Sequence, residues 1–229
     1  MEDFKEGHRE RIKQKYINDK NNFTNDYEFL ELLLTYSIPR RDVKPIAKSL
    51  LNTFGNLNNV LNANSHDLEK VKGVGMNTAV LIGLVRDIHL RANRSKNENV
   101  KRFDSDDDML EFFINLLSCE KNERIAVVSL DNLNRIINTH LLSEGSASSA
   151  DVNPRRIIEA VISDNAASVI IAHNHPSGSA DPSGTDLNFT LNLRNLLATV
   201  QINLADHVIV GENCAQSIKS MPDYKSFFK

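Results

Sequence analysis

Two histidines two residues apart, a serine and an aspartate stand close together in the stretch Ala172–Asp186, AHNHPSGSADPSGTD. His173 and His175 follow Ser168–Ala172 (SVIIA), a short apolar run of the kind a strand covered on both faces carries. On extended backbone, residues two apart point the same way, so the two imidazoles converge. Paired imidazoles suit Zn²⁺, which takes nitrogen at about 2.0–2.1 Å. Asp186 falls in the first turn of the next expected helix, where a carboxylate is electrostatically welcome. Two histidines and one aspartate leave a fourth position for water, which separates catalytic from structural zinc. Each residue also has a plainer reading. Loop histidines are commonly solvated, and Ser183-x-x-Asp186 is an ordinary capping box.

The elements that must hold this stretch read as α/β. Met109–Leu117 (MLEFFINLL) is an amphipathic helix with Asp104–Asp108 at its head. Glu123–Leu130 and Arg135–Leu142 form a hairpin around Asp131-Asn132. Gly145–Ala150 is a small-residue loop, and Asn153-Pro154 caps and starts a helix burying Ile157, Ile158, Val161 and Ile162. After the histidine loop come a helix over Thr185–Ala198, with Leu187, Leu191 and Leu197 inward, and a strand over Leu204–Val210 stopped by Gly211. This element order gives a mixed sheet with helices packed on it.

The first half differs. Tyr27–Ser37, Asp42–Phe54 and Leu57–Leu61 carry helical patterning, and no strand pattern appears before residue 92. Asn25 or Asp26 caps the first of these helices and Asp42 the second, with Gly55 as its terminator. Leu68–Ile82 reads helix, tight turn at Gly73-Val74-Gly75, helix from Met76, and this resembles a helix-hairpin-helix. Free backbone N–H groups at such a turn favour a phosphate, and Lys70 and Lys72 would add screened attraction. Gly73, Gly75 and Lys72 are therefore candidate contacts for DNA of any sequence; a packing or partner-docking hairpin is the competing reading. Residues 1–102 hold 18 Lys and Arg against 13 Asp and Glu, whereas residues 103–229 hold 9 against 17. The expected domains are 1–92, all-α, and 103–229, α/β, joined by a polar linker over 93–102.

Composition bounds the rest. No apolar run approaches the ~20 residues of a membrane span, and the charged start has no signal-peptide core, so a cytoplasmic protein is expected. Cys119 and Cys214 are too few for a disulfide framework and are expected as buried or partly buried thiols.

The string His173-x-His175-Pro176, then Ser183-x-x-Asp186, resembles the JAMM (MPN+) metalloprotease signature. With AHNHPSG, DHVIVG and the upstream hairpin, nearly the whole chain is similar to the RadC family of bacterial proteins. The resemblance implies a cytidine-deaminase-like JAMM/MPN fold holding one Zn²⁺ per chain on His173, His175 and Asp186. It implies Ser183 as oxyanion donor and a glutamate base at the head of the first core strand. Glu123 is the first choice, with Glu120 and Glu144 as competitors. It implies hydrolysis of peptide or isopeptide bonds in a protein or peptide substrate. The alternative is a DNA-associated repair or recombination protein with a regulatory metal site. No insertion of the kind eukaryotic deubiquitinating relatives use flanks the loop. His207 is expected as a packed or hydrogen-bonded histidine, and His8, His66, His89 and His140 receive no role.

Overall fold

A computed structural model describes residues 3–19, 23–118, 120, 122–142, 153–176, 178–212 and 214–228. Glu144, Cys119, Ser177 and the loop 145–150 lie outside the described residues. The chain divides into two compact units, Met1–Arg91 and Ala92–Lys229.

Every regular element among the first unit's described residues is a helix: α1 Asp3–Asn18, α2 Asp26–Ser37, α3 Lys44–Phe54, α4 Leu57–Asn62, α5 Ser65–Glu69 and most of α6 Met76–Ser95. Leu30 and Leu34 from α2 meet Ile46, Ala47 and Leu50 from α3, and Leu68, Ala79 and Ile82 close the core. Asn25 occupies the cap position of α2 but makes no side-chain capping bond. The helix expected from Asp42 begins two residues later, with Val43 as cap residue, and Asp42 Oδ1 accepts from the Lys44 N–H at 3.0 Å. Gly55 ends α3 at φ +91°, a conformation costly for any residue with a Cβ.

The second unit carries α7 Asp106–Leu117, β1 Ile125–Leu130, β2 Ile136–Leu142, α8 Pro154–Ser163, β3 Ser168–Asn174, α9 Gly184–Thr199, β4 Asn203–Val210 and β5 Ala215–Ser217. The strands form one sheet in the order β2-β1-β3-β4-β5, in which only β3 and β4 pair in parallel. Every residue of β1 and β3 is buried. The two-residue period divides them between two cores. Ile125, Val127, Val169 and Ile171 face α8 and α9, while Ala126, Val128, Ile170 and Ala172 face α7. Ser105 caps α7 by accepting from the Asp108 N–H, and the three aspartates fill its first turn.

Residues 93–102, expected as a linker, pack on this unit. Asn97 Nδ2 donates to the Phe112 carbonyl at 2.8 Å, and the Lys101 carbonyl accepts from Ile136 N–H at 2.7 Å. Ile162 is 50% exposed instead of buried, and α9 presents Thr190, Leu193 and Leu197 to the core, with Leu187 and Leu191 only half-buried. Cys214 is an exposed thiol, not a buried one. Among the described residues no helix is long and apolar enough to cross a membrane.

Asp164, at the end of α8, ties that helix to the hairpin. Its carboxylate accepts from Ser129 Oγ at 2.6 Å and Asn138 Nδ2 at 3.1 Å, and lies 2.6 Å from His140 Nε2. Burial opposes its charge, but these bonds outweigh that and hold the carboxyl below its ordinary range. Asp164→Ala is expected to lower stability by about 2–3 kcal/mol, because Ser129 is left buried without its acceptor. The folded carboxyl gives up its proton more readily than the unfolded one, whose value is about 3.9. The stabilisation is complete above that value and is lost as pH falls below about 4. Denaturant titrations at pH 7 and below 4 should show a larger loss in the wild type than in Asp164→Asn, the difference being the share of Asp164.

Candidate metal centre

His173 is the penultimate residue of β3 and faces the α9 side of the sheet, in line with Val169 and Ile171. His175 lies just past the strand. Its N–H donates to the Val210 carbonyl at 2.8 Å, and the Glu212 N–H donates to the Gly178 carbonyl at 2.9 Å, so the loop is stitched to the end of β4. Gly211 makes that approach possible: a Cβ there would stand 2.3 Å from the Gly178 oxygen.

Asp186 is 1% exposed in the first turn of α9. Both readings of Ser183-x-x-Asp186 hold at once. Ser183 Oγ accepts from the Asp186 N–H, and Asp186 Oδ2 accepts from the Ser183 N–H at 2.7 Å, a complete capping box. The same carboxylate turns its remaining lone pairs on the histidines, with Oδ1 3.1 Å from His173 Nε2 and Oδ2 3.3 Å from His175 Nε2. The two Nε2 atoms are 3.0 Å apart. Glu123 comes from two residues before Ile125, the residue paired with His173, and places Oε1 3.7 Å from His173 Nε2. Ligand atoms of Glu123, His173, His175 and Asp186 all lie within 4.8 Å of one another.

With each ring neutral, the hydrogen bonds around the cluster assign which ring nitrogens carry protons. The Thr190 hydroxyl donates to the Asp186 carbonyl at 2.6 Å, so toward His207 Nδ1, also 2.6 Å away, it must accept. His207 therefore carries its proton on Nδ1 and accepts on Nε2 from His173 Nδ1 at 2.8 Å. His175 Nδ1 faces the Ser179 carbonyl at 3.0 Å and must donate to it. Both Nε2 atoms thus point bare lone pairs at each other beside a carboxylate. Three mutually facing acceptors call for a cation. Their separations of 3.0–3.3 Å match the ligand–ligand edges, about 3.3 Å, of a tetrahedral site with bonds near 2.0–2.1 Å. Burial opposes the charge of Asp186, but a proton on His173 Nε2, when that ring is charged, and the bonds from Ser183 outweigh it and hold the carboxyl well below the carboxylate range. Burial pushes His207 well below its ordinary value, so it stays neutral.

His207 is fully buried, as expected of a packed or bonded histidine, but its role as the orienting partner of His173 was not foreseen. Thr190 was missed outright, although it stands one helical turn after Asp186 on the same face. His207→Ala is expected to weaken metal binding at the cluster by about 10–100-fold, the usual cost of losing the orienting partner of a ligating histidine. Competition with a chromophoric chelator would measure it.

The other candidates fall elsewhere. Glu120 is held away from the cluster by ion pairs to Arg94 and, at 3.0 Å, to Arg124. His8 pairs with Glu31, and His140 with Asp164. In the first unit, Gly73 takes φ +98° and a Cβ on it would meet Ile46 Cδ1 at 2.9 Å. Gly75 and Lys72 are exposed, and a hollow of about 290 Å³ opens between Ser37–Pro39 and Gly73–Thr78.

A mixed sheet carrying a Glu/His/His/Asp cluster at the end of β3 defines a JAB/MPN-type domain with a candidate metal centre. Comparison with known proteins agrees, for the RadC-like JAB domain family matches residues 103–223. The chain is 36% identical over 215 residues to the UPF0758 protein FN0909 of Fusobacterium nucleatum, covering 91% of this chain and 93% of that one. It is 32% identical to the UPF0758 protein SPO0054 of Ruegeria pomeroyi, covering 93% and 95%. The chain belongs to the RadC family.

Proposed function

We propose that the protein is a zinc-dependent hydrolase of peptide or isopeptide bonds in a protein or peptide substrate. One observation carries the reading: the Nε2 atoms of His173 and His175 and the Asp186 carboxylate face one point, with Glu123 beside it. His173, His175 and Asp186 would hold the ion. When bound, zinc supplies a Lewis acid and lowers the pKa of water to about 7. Glu123 Oε1 accepts a proton from the attacking water and returns it to the leaving amine. The Ser183 Oγ already accepts from the Asp186 N–H, which leaves its hydrogen to donate to the oxygen that becomes negative in the tetrahedral intermediate. The test is a panel of peptides and lysine-linked isopeptides, read by mass. Zinc-loaded wild type is expected to cleave a member that His175→Ala does not. Cleavage that survives in His175→Ala would end the reading.

A second reading concerns the first unit. The turn Gly73–Gly75 opens the N-terminus of α6 onto the hollow beside it, with exposed Lys72 alongside, which supports non-specific contact with a DNA phosphate. Duplex binding that weakens with salt is expected, and Lys72→Glu with Gly75→Glu should abolish it. Unchanged binding in that variant would reject the turn as the contact.

A further inference from the structure

Asn174 stands between the two histidines, and the strand alternation turns its side chain to the other face of the sheet. It is 2% exposed. Its contacts run to one short segment fifty residues earlier. Nδ2 donates to the carbonyls of Glu120 and Asn122, each at 3.2 Å, and Oδ1 accepts from the Arg124 N–H at 2.9 Å. The Asn122 carbonyl belongs to the peptide group before Glu123, and the Arg124 N–H to the peptide group after it. Both peptide groups that flank Glu123 are therefore bonded to one side chain. Among the described residues no strand pairing fixes them, since the β1–β2 and β1–β3 ladders both start only at Ile125. The peptide planes on either side of a residue define its φ and ψ, and these set the direction of its Cα–Cβ bond.

We propose that Asn174 is a positioning residue that clamps both peptide groups of Glu123 and aims its carboxylate at the His173–His175–Asp186 cluster. This rests on the reading of Glu123 as the base. One tripeptide then sets both halves of the site: its histidines face the ion, and its asparagine, from the opposite face, holds the backbone of the base. The chemistry is specific to an amide. A carboxylate in its place could still accept from Arg124 but would turn one bare oxygen on two carbonyls. An aliphatic side chain would leave three backbone groups without this partner.

Cobalt(II)-substituted protein gives a test that needs no substrate. At one pH, Glu123→Gln is expected to alter the visible absorption bands, because a carboxylate beside the ion is lost. Asn174→Ala should reproduce that alteration at unchanged cobalt stoichiometry, and the double variant should add nothing to it. Amide exchange at Arg124 should quicken about tenfold in Asn174→Ala, as expected for one lost hydrogen bond, and less in Asn174→Asp, which keeps the acceptor. If the alanine variant does not fold, the isosteric aspartate provides the same spectral comparison. A wild-type cobalt spectrum in the Asn174 variant, with Glu123→Gln altered, would overturn the clamp. A wild-type spectrum in Glu123→Gln itself would instead remove the base reading on which the clamp rests.

Discussion

Zinc-loaded Glu123→Gln is expected to keep its metal and its fold while losing hydrolysis by about 10²–10⁴-fold, the usual worth of a positioned general base. Glutamine has the shape of glutamate but cannot take a proton. Glu123 lies 3.7 Å from His173 Nε2, whereas Asp186 and the two histidines approach one another at 3.0–3.3 Å. The three tighter groups form the proposed ligand set, so the metal should stay when Glu123 changes. Its side chain is 13% exposed, close enough to solvent for water to reach it. The loss should fall on kcat, because a proton acceptor contributes to the transition state and little to the bound substrate. A substrate found in the peptide panel measures it, and equal activity would reject Glu123. Glu144→Gln is the informative companion, because Glu120 is already occupied by Arg94 and Arg124.

The other large effect is on metal content. His175→Ala is expected to take zinc from about one per chain to a level that survives no dialysis, with affinity falling more than the 100-fold that an orienting partner can cost. Two groups would remain, His173 and Asp186, and two ligands do not make a closed site. The fold should tolerate the change. Asp186 keeps the Ser183 N–H at 2.7 Å, and His173 keeps His207 at 2.8 Å, so neither is stranded. Zinc should therefore raise the thermal midpoint of the wild type, by mass action on the folded state, and leave that of His175→Ala where it was. Elemental analysis and paired melting curves check both statements.

The site was legible where chemistry and spacing sit on adjacent residues. The two-residue period of an apolar strand brings His173 and His175 together, and the cap position places Asp186 at the head of the following helix. It was not legible where it depends on pairing across the sheet. Glu123 and Glu120 are three residues apart in sequence, and only the match of Ile125 with His173 shows which of them faces the cluster. His207 reaches His173 because β4 lies beside β3 in parallel, a neighbour relation that no local pattern encodes. The inward face of α9 was misread for a related reason. Hydrophobicity favoured Leu187 and Leu191, but the helix is phased by Asp186 at its head and spends a buried position on polar Thr190, which His207 requires. The α/β order of the second unit followed from apolar runs long enough to survive errors of a residue or two at their ends, as at Glu123–Leu130, where the strand begins at Ile125.

X-ray absorption at the zinc edge, on wild-type protein carrying one equivalent of metal, bears most directly on the central claim. The account predicts imidazole scattering from two histidines and a first shell of nitrogen and oxygen only, at about 2.0–2.2 Å, with one imidazole lost in any metal retained by His175→Ala. A thiolate sulfur at about 2.3 Å, or a shell unchanged in His175→Ala, would contradict it.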